Sequence, residues 1–152
     1  MTLTQKEASL LNDLKSQEKL CIEKYGKYSD AACDPALKNL FSTIKSAEET
    51  HLKTITDILG GTEVKMNAAP PSAESAKLQC SASNCNESSK NNDAYLCKDA
   101  LAMEKHVSSV YDTSVFEFSS PVLRDTLAHI QKEEQNHGEQ LYNYLSCNNM
   151  YS

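Results

Sequence analysis

Tryptophan is absent from this 152-residue chain, and glycine and proline number only four each. No apolar run approaches the roughly 20 residues that a membrane span requires. No Lys/Arg block is longer than a pair, and the formal net charge is -6, so nothing is built to neutralise nucleic-acid phosphates. The opening MTLTQKEASL has neither the basic start nor the apolar middle of a signal peptide, which predicts a chain that is intracellular as made. No C-x-x-C occurs among Cys21, Cys33, Cys80, Cys85, Cys97 and Cys147. Their scatter, without an export signal, predicts reduced thiols and argues against a zinc site. What remains, 39% apolar and 24% charged residues, describes a soluble chain long enough for one domain with a real core.

The composition changes abruptly at Gly60. From there to Asp93 the chain is rich in Gly, Pro, Ser and Asn and has no sustained period, as expected of a long crossover. Such a segment, 60–93, is expected to be mobile and dispensable for whatever the rest binds. The flanking segments are periodic. Leu11, Leu14, Cys21, Tyr25, Tyr28 and Ala32 follow helical spacing, as do Leu37, Phe41, Ile44, Ile55 and Ile58. Asp34 and Pro35 separate the two runs as N-cap and first helical residue. After the crossover the layout returns: Cys97, Ala100, Val107, Tyr111, Ser114 and Phe118, then Ser120 and Pro121, then Leu123, Leu127, Ile130, Leu141 and Tyr144.

An ungapped shift of 86 residues superposes the halves, pairing Leu10 with Leu96, Asp13 with Asp99, Tyr25 with Tyr111, Pro35 with Pro121, Ile44 with Ile130 and Leu59 with Leu145. Two copies of a helical hairpin, at about 4–59 and 94–146, joined by the crossover at about 60–93, predict an all-α four-helix bundle.

Each seam is interrupted by polar residues that the spacing nevertheless turns inward: Glu18, then Glu48 and His51, then Glu104, then Glu134 and His137. Measured from the turn near Cys33 and Asp34, Glu18 and the Glu48/His51 pair both lie about 23 Å away at about 1.5 Å per residue, so all six groups can share one layer. Four buried carboxylates repel one another and lose hydration. Two divalent cations would balance them and leave the imidazoles neutral as ligands. A single Glu-x-x-His, as in KEEQNH, is as readily two surface residues. Two of them at matched positions, each with a seam Glu thirty residues earlier, point to a metal pair.

These residues resemble the ferritin-like di-iron carboxylate proteins, in which two helices give one Glu each and two give Glu-x-x-His. The resemblance implies a ferritin-like four-helix bundle in which Glu48 and Glu134 bridge two metal ions, Glu18 with His51 completes one, and Glu104 with His137 completes the other. It implies iron, with manganese as the alternative, and redox activity towards O2 or H2O2. Tyr25 and Tyr111 match tyrosines that some members place beside the site, which makes them candidate catalytic residues; a core tyrosine with a satisfied hydroxyl is the other reading. Val107 stands where rubrerythrin-type peroxidases carry a further carboxylate, and too few residues follow Leu145 for the extra helix of cage-forming ferritins. Peroxidase activity of that kind and bulk iron storage are therefore not expected, whereas a manganese catalase-like activity is an alternative.

The stretch from Asp99 to Leu145, and LLNDLKSQEKLCIEKY in the first half, are similar to the spore coat F family of spore-forming bacteria. That resemblance implies a spore coat location and a competing function: a coat component whose metal pair only staples the bundle, with Cys80, Cys85 and Cys147 free to cross-link neighbours. Homodimer or coat assembly is expected as the partner state. The hairpin of residues 93–152 alone, carrying half the ligands and an unburied seam, is expected to dimerise around two metals.

Overall fold

The computed structural model describes residues 1–66, 80 and 83–151 of the chain. These form four helices, α1 (Gln5–Ala31), α2 (Pro35–Leu59), α3 (Glu87–Val115) and α4 (Pro121–Cys147), with no strand among the described residues. Each start has a local cause. Thr4 and Glu7 form a reciprocal capping box at α1. Asp34 and Ser120 cap α2 and α4, each followed by proline at the first helical position, where its missing N–H is not needed.

Helix α3 starts at Glu87, capped by Asn86, rather than near residue 94. Its first turns are polar and exposed, so they carry no seam periodicity, and the cap alone marks them. The remainder of the crossover expected to be mobile falls mainly on 67–79 and 81–82, outside the described residues.

Helix α1 packs along α2 and α3 along α4, and the hairpins meet through α1 on α3 and α2 on α4. Every apolar seam residue named from the spacing is buried, from Leu11 at 0% to Tyr28 at 9% exposure. Truncating one of the largest, such as Leu127 or Ile130, would cost about 2–5 kcal/mol through lost burial and an unfilled cavity.

Hydrogen bonds between hairpins fix the directions. Glu7 near the start of α1 meets Ser119 beyond α3, and Tyr28 near the end of α1 meets Asp99 early in α3, so these helices are antiparallel. Tyr144 late in α4 meets Asp34 before α2, and Thr126 early in α4 meets Val64 beyond α2. It follows that α2 and α3 run parallel, and the ends joined by the crossover lie at opposite ends of the bundle, roughly 37 Å apart for a 25-residue helix.

The two-fold relation extends to the turns. The Glu7 carboxylate accepts from the Ser119 backbone N–H at 3.0 Å and its hydroxyl at 3.1 Å. One repeat on, Asp93 accepts from the Cys33 and Asp34 N–H groups at 2.8 and 2.9 Å. Each hairpin thus holds the other's turn by a buried carboxylate.

The cysteines correct the expectation of reduced thiols. Cys33 is bonded to Cys85 and Cys80 to Cys147, with Cα separations of 6.2 and 5.6 Å, while Cys21 and Cys97 are free and buried. The parallel α2–α3 arrangement brings the end of the crossover back beside the α1–α2 turn and the end of α4, a juxtaposition that linear spacing does not display. Cys80, Cys85 and Cys147 are therefore spent within the chain and are not free to cross-link neighbours while these bonds persist. No helix among the described residues is long and apolar enough to cross a membrane.

Candidate metal centre

All six seam residues converge at mid-bundle. Glu18 (α1), Glu48 and His51 (α2), Glu104 (α3), and Glu134 and His137 (α4) are buried, the most exposed being His137 at 6%. Three-residue spacing puts each Glu and its His on one helix face: His51 Nδ1 lies 2.9 Å from Glu48 Oε2, and His137 Nδ1 lies 3.2 Å from Glu134 Oε2.

The same nitrogens reach across the hairpin boundary. His51 Nδ1 is 3.2 Å from Glu134 Oε1 and 3.8 Å from Glu18 Oε1, and His137 Nδ1 is 3.3 Å from Glu48 Oε1 and 3.7 Å from Glu104 Oε1. The two rings stack at 5.8 Å between centroids. The donor atoms form two groups, each spanning no more than 4.8 Å: Glu18, Glu48, His51 and Glu134, and Glu48, Glu104, Glu134 and His137. Glu48 and Glu134 belong to both.

Four buried oxygens, Glu18 Oε2, Glu48 Oε1, Glu104 Oε2 and Glu134 Oε1, accept no hydrogen bond. Leaving one buried acceptor unsatisfied costs about 1–3 kcal/mol, and more for a charged group, so four in one layer form a cavity of lone pairs facing a common centre. Such a set, with two imidazole nitrogens, could hold a metal ion in each group.

Protonation relieves the strain in the metal-free chain. Desolvation, reinforced by the charges of Glu134 and Glu48, pushes Glu18 and Glu104 well above the usual carboxylate range. Burial acts the same way on Glu48 and Glu134, but the hydrogen bond from the histidine on the same helix and the close approach of the other ring outweigh it and hold them below that range. For the rings, burial opposes the charge, while bonds to Glu133, Glu134 and Glu48 at His51, and to Glu104, Glu134 and Glu48 at His137, outweigh it and raise both. The raised groups thus favour bound protons, which offset part of the negative charge of Glu48, Glu134 and Glu133.

Tyr25 and Tyr111 act reciprocally. Tyr25 on α1 donates its hydroxyl hydrogen to Glu104 Oε1 on α3, and Tyr111 on α3 donates to Glu18 Oε1 on α1. Both are fully buried, and desolvation, together with the adjacent carboxylate, keeps them protonated. Each one fixes the rotamer of a carboxylate whose other oxygen remains unpartnered.

Glu133 was not marked by the seam pattern. Its Oε2 lies 2.7 Å from His51 Nε2, and its Oε1 lies 3.7 Å from the half-buried His129. The residue one repeat earlier is Ala47, so His137 has no matching carboxylate from α2. That mismatch between halves was the available signal. Cys21 is likewise unmatched, pairing with Val107; burial and then the cluster's carboxylates push its thiol far up.

The family model of the Coat F domain matches residues 92–152, most of α3 and all of α4. The resemblance of the second hairpin to the spore coat F family is thus borne out, and the match does not extend over the first hairpin. No curated protein and no solved structure matches the chain.

Proposed function

We propose that this chain is a ferritin-like dinuclear metal protein of the spore coat with redox activity towards O2 or H2O2. The observation that carries the reading is the split of six buried donors into two groups sharing Glu48 and Glu134, with four carboxylate oxygens left without a hydrogen bond. Glu18 and His51 would hold one ion, Glu104 and His137 the other, and Glu48 and Glu134 both.

A bound pair of iron or manganese ions would supply electrons, one from each ion, at a site otherwise built of redox-inert side chains. The chain's own contribution is positional. Tyr25 and Tyr111 hold the terminal carboxylates from behind, and Glu133 on His51 Nε2 fixes that ring with Nδ1 turned inward. The apolar seams above and below the layer, Leu14, Ile44, Val107 and Ile130 among them, limit water at the site.

A second reading has specific support. Two disulfides at one end and similarity to the Coat F domain suit a stable coat component in which the metal pair only staples the bundle. Anaerobic ferrous loading followed by O2 or H2O2, recorded in the near ultraviolet, separates the two. Rapid and repeatable oxidation supports the redox protein, and a stable loaded form without turnover supports the staple. Manganese-loaded protein that evolves O2 from H2O2 would instead support a catalase-like activity.

A further inference from the structure

The two hairpins are alike at the ligands and unlike just outside them. A cavity of about 480 Å³ opens between α3 and α4, lined by Leu101, Glu104, Ser108, Glu134, Gly138 and Tyr142 among others. Its lining includes Glu104 and Glu134, whose carboxylate oxygens without a hydrogen bond lie buried behind its wall. Glu104 and Glu134 are only 2% and 1% exposed, and each carries an oxygen without a hydrogen bond.

The repeat explains why it is there. In the first hairpin the positions of Ser108 and Gly138 are occupied by Ile22 and Leu52, both half-buried. Ser108 and Gly138 stand where the first hairpin has two branched aliphatic side chains, and both line the cavity beside Glu104 and Glu134. A Cβ placed on Gly138 would lie 3.6 Å from Leu101 Cδ1, an ordinary contact, so backbone crowding does not require glycine there. Glu139 adds negative charge at the mouth beside Lys105.

We propose that this cavity is the port through which divalent cations reach the cluster, and that Gly138 and Ser108 set its width. The inference rests on the dinuclear reading above and adds a direction to it: the position of Glu104 and His137 lies next to the port, and that of Glu18 and His51 lies behind it. The port fills and exchanges the near position first.

The test uses the full chain and Mn2+, followed by loss of the free-ion magnetic resonance signal after mixing. Gly138→Leu and Ser108→Ile each copy the first hairpin into the second. Either should slow uptake by about tenfold or more, because passage then waits on an opening motion, with the final stoichiometry unchanged. If one substitution prevents folding, judged by circular dichroism, the other carries the test. Uptake at the unaltered rate in the folded variants overturns the port, as does reduced stoichiometry without slowing. Failure of the unaltered chain to take up any ion would instead overturn the dinuclear reading itself.

Discussion

Loading the cluster with two divalent ions should release about four protons per chain near neutral pH. Burial and neighbouring carboxylates favour the protonated form of Glu18 and Glu104, and the surrounding carboxylates favour that of His51 and His137. Metal ligation needs all four deprotonated, so about two protons leave per ion. The sign follows: a group raised in the metal-free chain competes with the cation as pH falls, and binding weakens in acid. While all four remain protonated without metal, each pH unit should strengthen two-ion binding by about 5.5 kcal/mol, four times the roughly 1.4 kcal/mol per proton. An indicator dye in weakly buffered solution counts the protons, and calorimetry in two buffers of different ionisation enthalpy checks the count. Glu104→Gln should lower the release by about two, its own proton and that of His137, because one ion then remains. Release of one proton or none per chain at pH 7 would refute the charge assignment, because the layer would then hold uncompensated carboxylates without metal.

Glu48→Gln or Glu134→Gln should abolish binding of both ions, whereas Glu18→Gln or Glu104→Gln should leave one per chain; elemental analysis decides, and equal losses across all four would rule out bridging. Glu133→Ala should weaken metal affinity by about tenfold through the loosened His51 ring, measured by Mn2+ titration, with an unchanged affinity counting against any outer role. Glu7→Ala should destabilise the fold by about 2 kcal/mol in urea, since it removes charge-assisted bonds to the Ser119 turn. Backbone N–H groups of Ser119 and Thr4 hold the Glu7 carboxyl at about 2, so its contribution is complete above the usual carboxylate range and is lost as pH falls towards 2; a stability profile flat across that window would contradict it.

The seams and the buried Glu/His cluster were legible because helical periodicity converts spacing into direction. Glu18, Glu48, His51, Glu104, Glu134 and His137 break an apolar pattern at positions that must face inward, and the repeat makes the breaks coincide. Two kinds of feature were not legible. The Glu7 and Asp93 clamps occupy matched positions but differ in residue type, and their partners are backbone groups of distant turns, which no side-chain pattern encodes. The disulfides depend on which ends of the bundle the crossover joins, and so on α2 and α3 being parallel, a tertiary fact. The start of α3 at Glu87 was hidden for a local reason: its first turns are exposed, and an exposed helix needs a cap but no stripe.

The departures from two-fold symmetry bear directly on function. Inner groups match between halves: Glu18 with Glu104, Tyr25 with Tyr111, His51 with His137. Outer groups do not: Glu133 faces His51 where Ala47 leaves His137 without a counterpart, and Ser108 and Gly138 open the second hairpin where Ile22 and Leu52 fill the first. A staple gains nothing from this difference, since both ions of a purely structural pair are best enclosed alike. A reacting pair does gain, because an oxidant must reach it from solvent on one side while the other stays closed. The carboxylate on His51 would strengthen the position behind the port, and the missing side chains thin the wall over the position beside it. The two ions would therefore be inequivalent in a symmetric ligand set, the one held by Glu104 and His137 exchanging faster than the one held by Glu18 and His51.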